Sequence, residues 1–299
     1  MITAKQPNIE RALRIVDEEL DIVAVEREAF ERLQRRVRDV RPTAPDRAPE
    51  PGAGGGTSAL VAPPTTTADG LETVRSAYRE TVMDVPHYER AYGDSLAESL
   101  VEELGEGIAG HLLNGRTLTP VVYRGLLAAA ERSRSEREEF ERLLRRERES
   151  LRAVERELND VETTCYELGS RISEVASAEE AASGEEAASG DEVASGEEAA
   201  SGEEVASGEE VATADELATV DERLAALGAR CDRLSDRRQE TIHGRSAVAL
   251  SGVDEVSLVQ YLYGAAEPTC PALADVVACR DTVEHQRERC RGVRAERSG

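Results

Sequence analysis

The side chains best able to do chemistry in this sequence are its histidines and cysteines, and their spacing limits what they can do. Glu240-Thr-Ile-His243 puts a carboxylate and an imidazole three residues apart, one half of a metal-binding ExxH pattern. A di-iron bundle needs a second copy plus further Glu on facing helices, and no second copy occurs. Asp281 and His285 fall at i, i+4 on one helix face, which reads as an exposed pair. His87 follows Pro86 in "DVPHYE" and reads as a polar cap of that turn, with a binding or catalytic imidazole as the alternative. The five cysteines, at 165, 231, 270, 279 and 290, are odd in number and form no CxxC pair. That is neither a disulfide framework nor a zinc site.

Glycine-rich and nucleophile motifs are equally uninformative. "PGAGGG" at 51–56 lacks the lysine, the preceding strand and the following helix of a phosphate loop. No catalytic residue, cofactor-binding residue or metal ligand is assigned, no cofactor is implied, and the chain reads as non-enzymatic.

The elements that would have to position any site are helical. Residues 8–40 carry Ile9, Leu13, Val16, Leu20, Val23, Phe30 and Val37 on alternating three- and four-residue steps, interrupted only by Arg27 and Gln34. Asn8 is a fitting N-cap. Residues 41–69 are rich in Pro, Gly, Thr and Ala and read as a flexible linker. Short helices follow: Asp69 caps one that Pro86 ends, Asp94 caps another that stops at Gly105, and Asn114-Gly115 closes a third. Four of the seven tyrosines lie between 78 and 123, which suggests a small packed head over 70–135.

Thr119-Pro120 supplies a cap and a first-turn proline for a very long helix. From Phe140 to Val175 its steps are 4, 3, 4, 3 throughout, with Cys165 on the seam and Glu147 the only polar member. The seam resumes at Leu217, Val220, Leu224, Leu227, Cys231 and Leu234, weakens at Arg238, and the helix ends near His243-Gly244. Cys165 and Cys231 are therefore expected to act as small buried apolar residues. Two heptad helices, 136–176 and 213–245, flank one insert, so an antiparallel coiled-coil hairpin is the simplest arrangement. The helix of residues 1–40 either adds to it as a third helix or binds another subunit. Residues 246–299 carry two more helices, expected to return and close the head.

The insert, 177–212, is six near-identical hexapeptides of the type SGEEVA. At 100° per residue a hexad advances a net 240°, so its Ala and Val positions form no continuous stripe. Ser-Gly in nearly every unit opposes the helix, while Glu and Ala favour it. A frayed, partly helical or disordered tip is the reading, and its length can change without loss of the flanking seams.

Charge narrows the partners. The formal net charge is −24, and half of it sits in those six units, which carry two acids each and no base. Lys5 is the only lysine among 37 basic residues. The arginines are interleaved with Glu, as in "EREEFERLLRRERES", which disfavours direct nucleic-acid binding. No apolar run approaches the length of a membrane span, and no signal sequence is visible at Met1–Ile9, so the chain reads as cytoplasmic. An acid surplus with almost no lysine resembles proteins that work in concentrated salt; a GC-rich genome is the alternative for the arginines, though it does not explain the acids.

Several blocks resemble an uncharacterised haloarchaeal domain family. They are "VRSAYRETVMDVPHYERAYGDSLAESLVEELG" (74–105), "LTPVVYRGLLAAAERSRSEREEFERLLRRE" (118–147), "EREAFERLQRRV" (26–37) and "LVQYLYG" with "PTCP" (258–271). The resemblance implies a halophile source and a helical fold, and no activity. The combined expectation is an all-α protein with a small head and a protruding coiled-coil hairpin. Its role is that of an interaction or scaffold protein, meeting a protein partner or itself through the heptad seams. No small-molecule ligand is assigned; the alternative is a ligand-sensing or regulatory protein that uses the tyrosine-rich head. Raising KCl from about 0.1 M to about 1 M shortens the screening length from about 10 Å to about 3 Å. The melting temperature followed by circular dichroism should therefore rise with KCl; a melting temperature that falls would count against a salt-adapted surface.

Overall fold

The computed structural model describes residues 6–43, 69–188, 202–243 and 255–296. Among these residues there are nine α-helices and no strand, so the fold is all-α. The helices are α1 (Pro7–Arg38), α2 (Asp69–Arg79), α3 (Tyr88–Ala91), α4 (Leu96–Leu104), α5 (Glu106–Asn114), α6 (Pro120–Ala188), α7 (Gly202–His243), α8 (Glu255–Tyr263) and α9 (Pro271–Glu296). No described helix is long and apolar enough to cross a membrane. The chain divides into two compact units: residues 16–147, and residues 1–15 together with 148–299.

The unit of residues 16–147 packs the C-terminal part of α1 against α2 to α5 and the start of α6. Its core gathers Phe30, Leu33 and Val37 of α1 with Leu71, Val74 and Tyr78 of α2, Leu100 and Leu104 of α4, Leu112 of α5, and Leu126 of α6. Each fully buried apolar side chain contributes about 1.5–3 kcal/mol. The first turns are set locally. Thr119 Oγ1 accepts from Val122 N–H at 3.3 Å, so α6 opens as the Thr-Pro pair predicts. Ser95, one residue beyond the expected Asp94, is the cap of α4; it forms a full capping box with Glu98. Gly105 joins α4 to α5 at φ +82°, a conformation that disfavours any residue with a Cβ. Gly125 lets α5 approach α6, since a Cβ there would come 2.8 Å from Ile108.

The polar interruptions of the α1 seam are paired across to α6. Arg27 Nε donates to Glu141 at 2.9 Å and Gln34 Nε2 to Glu131 at 2.9 Å, so the two helices run antiparallel here. Phe140, expected on the α6 seam, is only half-buried, while its neighbour Glu141 is buried to receive Arg27 and Arg145. The N-terminal helix thus packs within its own chain.

In the other unit α6 and α7 also run antiparallel. Ser150 faces Arg238 (2.9 Å), and Asp160 faces Arg230 (3.3 Å). The seam residues Leu151, Val154, Leu158, Val161, Cys165, Leu168 and Ile172 are buried, as are Leu217, Val220, Leu224, Leu227, Cys231 and Leu234. One expectation is corrected: α8 and α9 belong with residues 148–243 in one unit and not with residues 70–130. Instead α9 lies along α7, with Arg280 on Asp232 (2.7 Å) and Arg287 on Asp221 (2.9 Å), and reaches α6 through Arg289 and Ser173 (3.1 Å). The seams offered above as a surface for a partner are consequently filled by helices of the same chain.

Asn8 is not the cap of α1. Pro7 opens the helix, and Asp275 of α9 takes both Asn8 Nδ2 (2.6 Å) and Ile9 N–H (2.8 Å). A buried carboxylate thus serves the helix's free donors from another element. Of the linker over 41–69, residues 44–68 lie outside the described residues; Thr43 N–H still bonds Leu118 O at 2.9 Å. Within the hexad array the backbone is helical to Ala188 and again from Gly202, and residues 189–201 lie outside the described residues.

Leu158 and Tyr166 lie two turns apart on α6, the first buried and the second 65 % exposed. Leu158→Ala should cost about 2–5 kcal/mol in urea denaturation, and Tyr166→Ala no more than about 0.5 kcal/mol.

Candidate functional site

The unit of residues 16–147 encloses a cavity of about 480 Å³ between α1, α3, α4 and α6. That volume lies within the range of small-ligand pockets. Glu26, Ala29 and Phe30 of α1 form one wall; Val82, Val85, Tyr88 and Tyr92 form a second. Asp94, Glu98, Ser99, Glu102 and Glu103 line the α4 side, and Arg137 of α6 closes it.

Glu26 organises the wall. It is only 8 % exposed, on the same stripe as Val23, Phe30 and Leu33. Its Oε1 receives His87 Nε2 (2.9 Å) and Tyr92 Oη (2.7 Å), and its Oε2 receives Arg137 Nε (3.2 Å). Arg137 continues to Glu103 through both terminal nitrogens, at 2.9 Å and 2.5 Å, and its guanidinium lies 4.8 Å from the Phe30 ring centre. Five members of one network thus come from α1, the α3 turn, α4 and α6.

Burial shapes the protonation of this network. Desolvation works against the charge of Arg137, but Glu103 and Glu26 more than offset it and hold the guanidinium above its ordinary pKa. Desolvation pushes the Glu103 carboxyl up, and the attraction of Arg137 does not fully compensate. Ionised Glu103 therefore weighs against the fold, a cost that is relieved as the pH falls towards the ordinary carboxylate range. The Tyr92 phenol is raised by burial and by its bond to Glu26, and Tyr78 by burial, so both remain neutral donors.

Tyr78 Oη engages Ser99 at both Oγ (2.8 Å) and the carbonyl (3.1 Å). Tyr88, 4 % exposed, turns its buried hydroxyl towards the same serine, and burial raises its pKa. Its ring meets that of Tyr92 at 5.7 Å between centres.

The residues singled out by sequence fare unevenly. His87 does not cap its turn: it stands at the N-cap of α3 with no side-chain cap bond, and its ring is spent on Glu26. It positions a lining residue and does not itself line the cavity. Of the clustered tyrosines, Tyr88 and Tyr92 line the cavity, while Tyr78 is buried in the core and bonds Ser99. Glu26, Glu103 and Arg137 escaped notice, although a seam read as 23, 26, 30, 33, 37 keeps the three-four spacing with Glu26 as its one polar member.

Asp281 and His285 are exposed on α9. Glu240 is exposed, and the His243 side chain lies outside the described residues. Cys165 and Cys231 are buried as expected of apolar substitutes, and all five cysteines are free thiols. Burial pushes Cys165 up to about 11. The Cys279 thiol of α9 is raised by its neighbour Cys231 and by burial, so it stays protonated at neutral pH. Among the described residues no three His, Cys, Asp or Glu side chains converge on a metal position.

Fold and site together define an all-α protein with an acid-lined cavity in one of its two units. The chain belongs to the family described as a domain of unknown function (DUF7260), whose model matches residues 7–192 and 193–287. No curated protein and no solved structure shows significant similarity to it.

Breaking the network should be costly. Arg137→Met leaves Glu26 and Glu103 without their cation in a poorly solvated place and should cost about 3–5 kcal/mol by chemical denaturation. Arg134→Ala, one turn earlier and paired on the surface with Glu131 and Glu138, should cost about 1 kcal/mol or less.

Proposed function

We propose that this is a non-enzymatic, ligand-binding helical protein whose cavity over residues 16–147 takes a small molecule. The observation that carries the reading is the cavity itself, walled by rings and carboxylates that a buried network holds in place. Pockets that bind small molecules combine an apolar wall with a few fixed polar groups, and this one has both. Its aromatic wall and the rigid placement of Glu26 give a bound molecule surface to bury and a fixed charge to orient against.

A second reading, an interaction or scaffold protein, draws on Tyr166 and Tyr261, which stand 65 % and 61 % exposed on α6 and α8. Lone exposed rings are common on monomers, so this support is lighter.

Thermal-shift screening against a metabolite collection, with Tyr92→Ala beside the wild type, separates the two. Tyr92 is half-exposed on the cavity wall, and its hydroxyl is one of three donors to Glu26, so shifts in the variant are read against the variant's own melting temperature. The expected result is a class of compound that raises the wild-type melting temperature and fails to do so in Tyr92→Ala. No stabilising compound, together with a concentration-dependent dimer by light scattering, would favour the interaction reading instead.

A further inference from the structure

In the unit that does not hold the cavity, packed helices carry three of the five cysteines: Cys165 on α6, Cys231 on α7 and Cys279 on α9. Register decides which of them meet. Arg280 bonds Asp232 at 2.7 Å, and Arg287 and Arg291 reach Asp221 at 2.9 Å and 3.2 Å. Helices α7 and α9 therefore run antiparallel, with residue 279 level with residue 231. Both cysteines sit on the buried stripes of their helices, Cys231 between Leu227 and Leu234 and Cys279 between Val276 and Val283. They are 0 % and 3 % exposed, so the ion pairs flank an interface into which both sulfurs are turned. Each thiol is the largest influence on the acidity of the other, as only a close neighbour is.

The other thiols lie at different levels. Asp160 of α6 stands opposite Arg230 at 3.3 Å. Cys165 is thus displaced from the level of Cys231 by about six residues, or roughly 9 Å of helical rise. Cys290 is about three turns beyond Cys279, roughly 16 Å along α9, and its Sγ donates to Leu217 O at 3.3 Å. Cys270 precedes α9 and is partly exposed. The facing pair is also unequal. Cys279 holds the Cys231 thiol below its ordinary pKa, with Arg280 and Arg230 assisting against burial, whereas Cys279 keeps its proton. Cys231 is therefore the better nucleophile of the two.

We propose that Cys231 and Cys279 are a redox pair that closes to a reversible disulfide with hydrogen peroxide, stapling α9 to α7. The Cys231 thiolate attacks one peroxide oxygen; the O–O bond breaks, hydroxide leaves and takes up the Cys231 proton as water, and Cys231 becomes a sulfenic acid. Cys279 then attacks the Cys231 sulfur. The S–S bond forms as the S–O bond breaks, and the hydroxyl leaves with the Cys279 proton as a second water. Two electrons pass from the two sulfurs to one peroxide. Both thiols are closed to solvent, so oxidation waits on α9 lifting from α7 and is slow.

The full chain, treated with hydrogen peroxide and then blocked with N-ethylmaleimide, tests this by intact mass and peptide mapping. The expected product has lost two hydrogens, carries a Cys231–Cys279 link and returns to five blockable thiols with dithiothreitol. Mild urea, which promotes local opening, should speed its formation. Followed by circular dichroism, the oxidised chain should melt higher than the reduced chain, because the link restricts the unfolded state. Cys231→Ala and Cys279→Ala should each abolish the link, and Cys165→Ala should keep it. Mapping of the wild type does not depend on how well any variant folds. Five blocked thiols after peroxide, a Cys231 oxidised further with Cys279 still free, or a principal link through Cys165, Cys270 or Cys290 would each overturn the proposal. An oxidised chain that melts no higher than the reduced one overturns the staple.

Discussion

One carboxylate governs the unit of residues 16–147. Glu26 sits on the buried stripe of α1, where an ionised group is tolerated only if its charge and lone pairs are met. They are met by His87, Tyr92 and Arg137, separated from it by 61, 66 and 111 residues. Each donor must reach a single pair of oxygens, so the α3 turn and α6 are held at fixed distances from α1. The cavity is the space left between elements that this requirement keeps apart. The network therefore costs the fold some burial of apolar surface, and what the cost leaves behind is a walled cavity.

The second consequence is electrical. Arg137 balances two acids and is itself the only cation in the lining. Desolvation leaves Glu103 reluctant to ionise even with Arg137 beside it. Further acids on the α4 side, Glu98 and Glu102, are exposed at the rim, where solvent and salt screen them. A protein with −24 overall has many acidic surfaces; this one differs in having ring walls.

Sequence reasoning reached the helices more readily than the site. The all-α class, the opening of α6 at Thr119-Pro120 and the burial of the 151–172 seam follow from local chemistry and from periodicity, both written in consecutive residues. The address of a helix is not written that way. The apolar residues of α9 show that one face must be covered without naming what covers it, so its place beside α7 and the bond between Asp275 and the start of α1 could not be read. The same holds for the cavity. Tyr78, Tyr88 and Tyr92 are near one another in sequence and were legible as a cluster. Glu26, Glu103 and Arg137 look like three ordinary members of an Arg- and Glu-rich chain until the fold brings them together. The one local sign was a polar residue on an otherwise apolar three-four spacing, and a heptad read through Arg27 conceals it.

Polar residues placed on seams do a related job along both long helices. Arg27 against Glu141, Gln34 against Glu131 and Arg238 against Ser150 each have a partner that a one-residue slip would remove, leaving a buried polar group unmet. Apolar seams alone tolerate such slips, because one leucine packs much like the next. Register in this protein is therefore set by its interruptions, the role polar seam residues have in coiled coils generally. All three of these pairs lie outside residues 177–212. The acidic hexads have a period that matches neither seam, so the register between Ser150 and Arg238 does not depend on the number of units between α6 and α7.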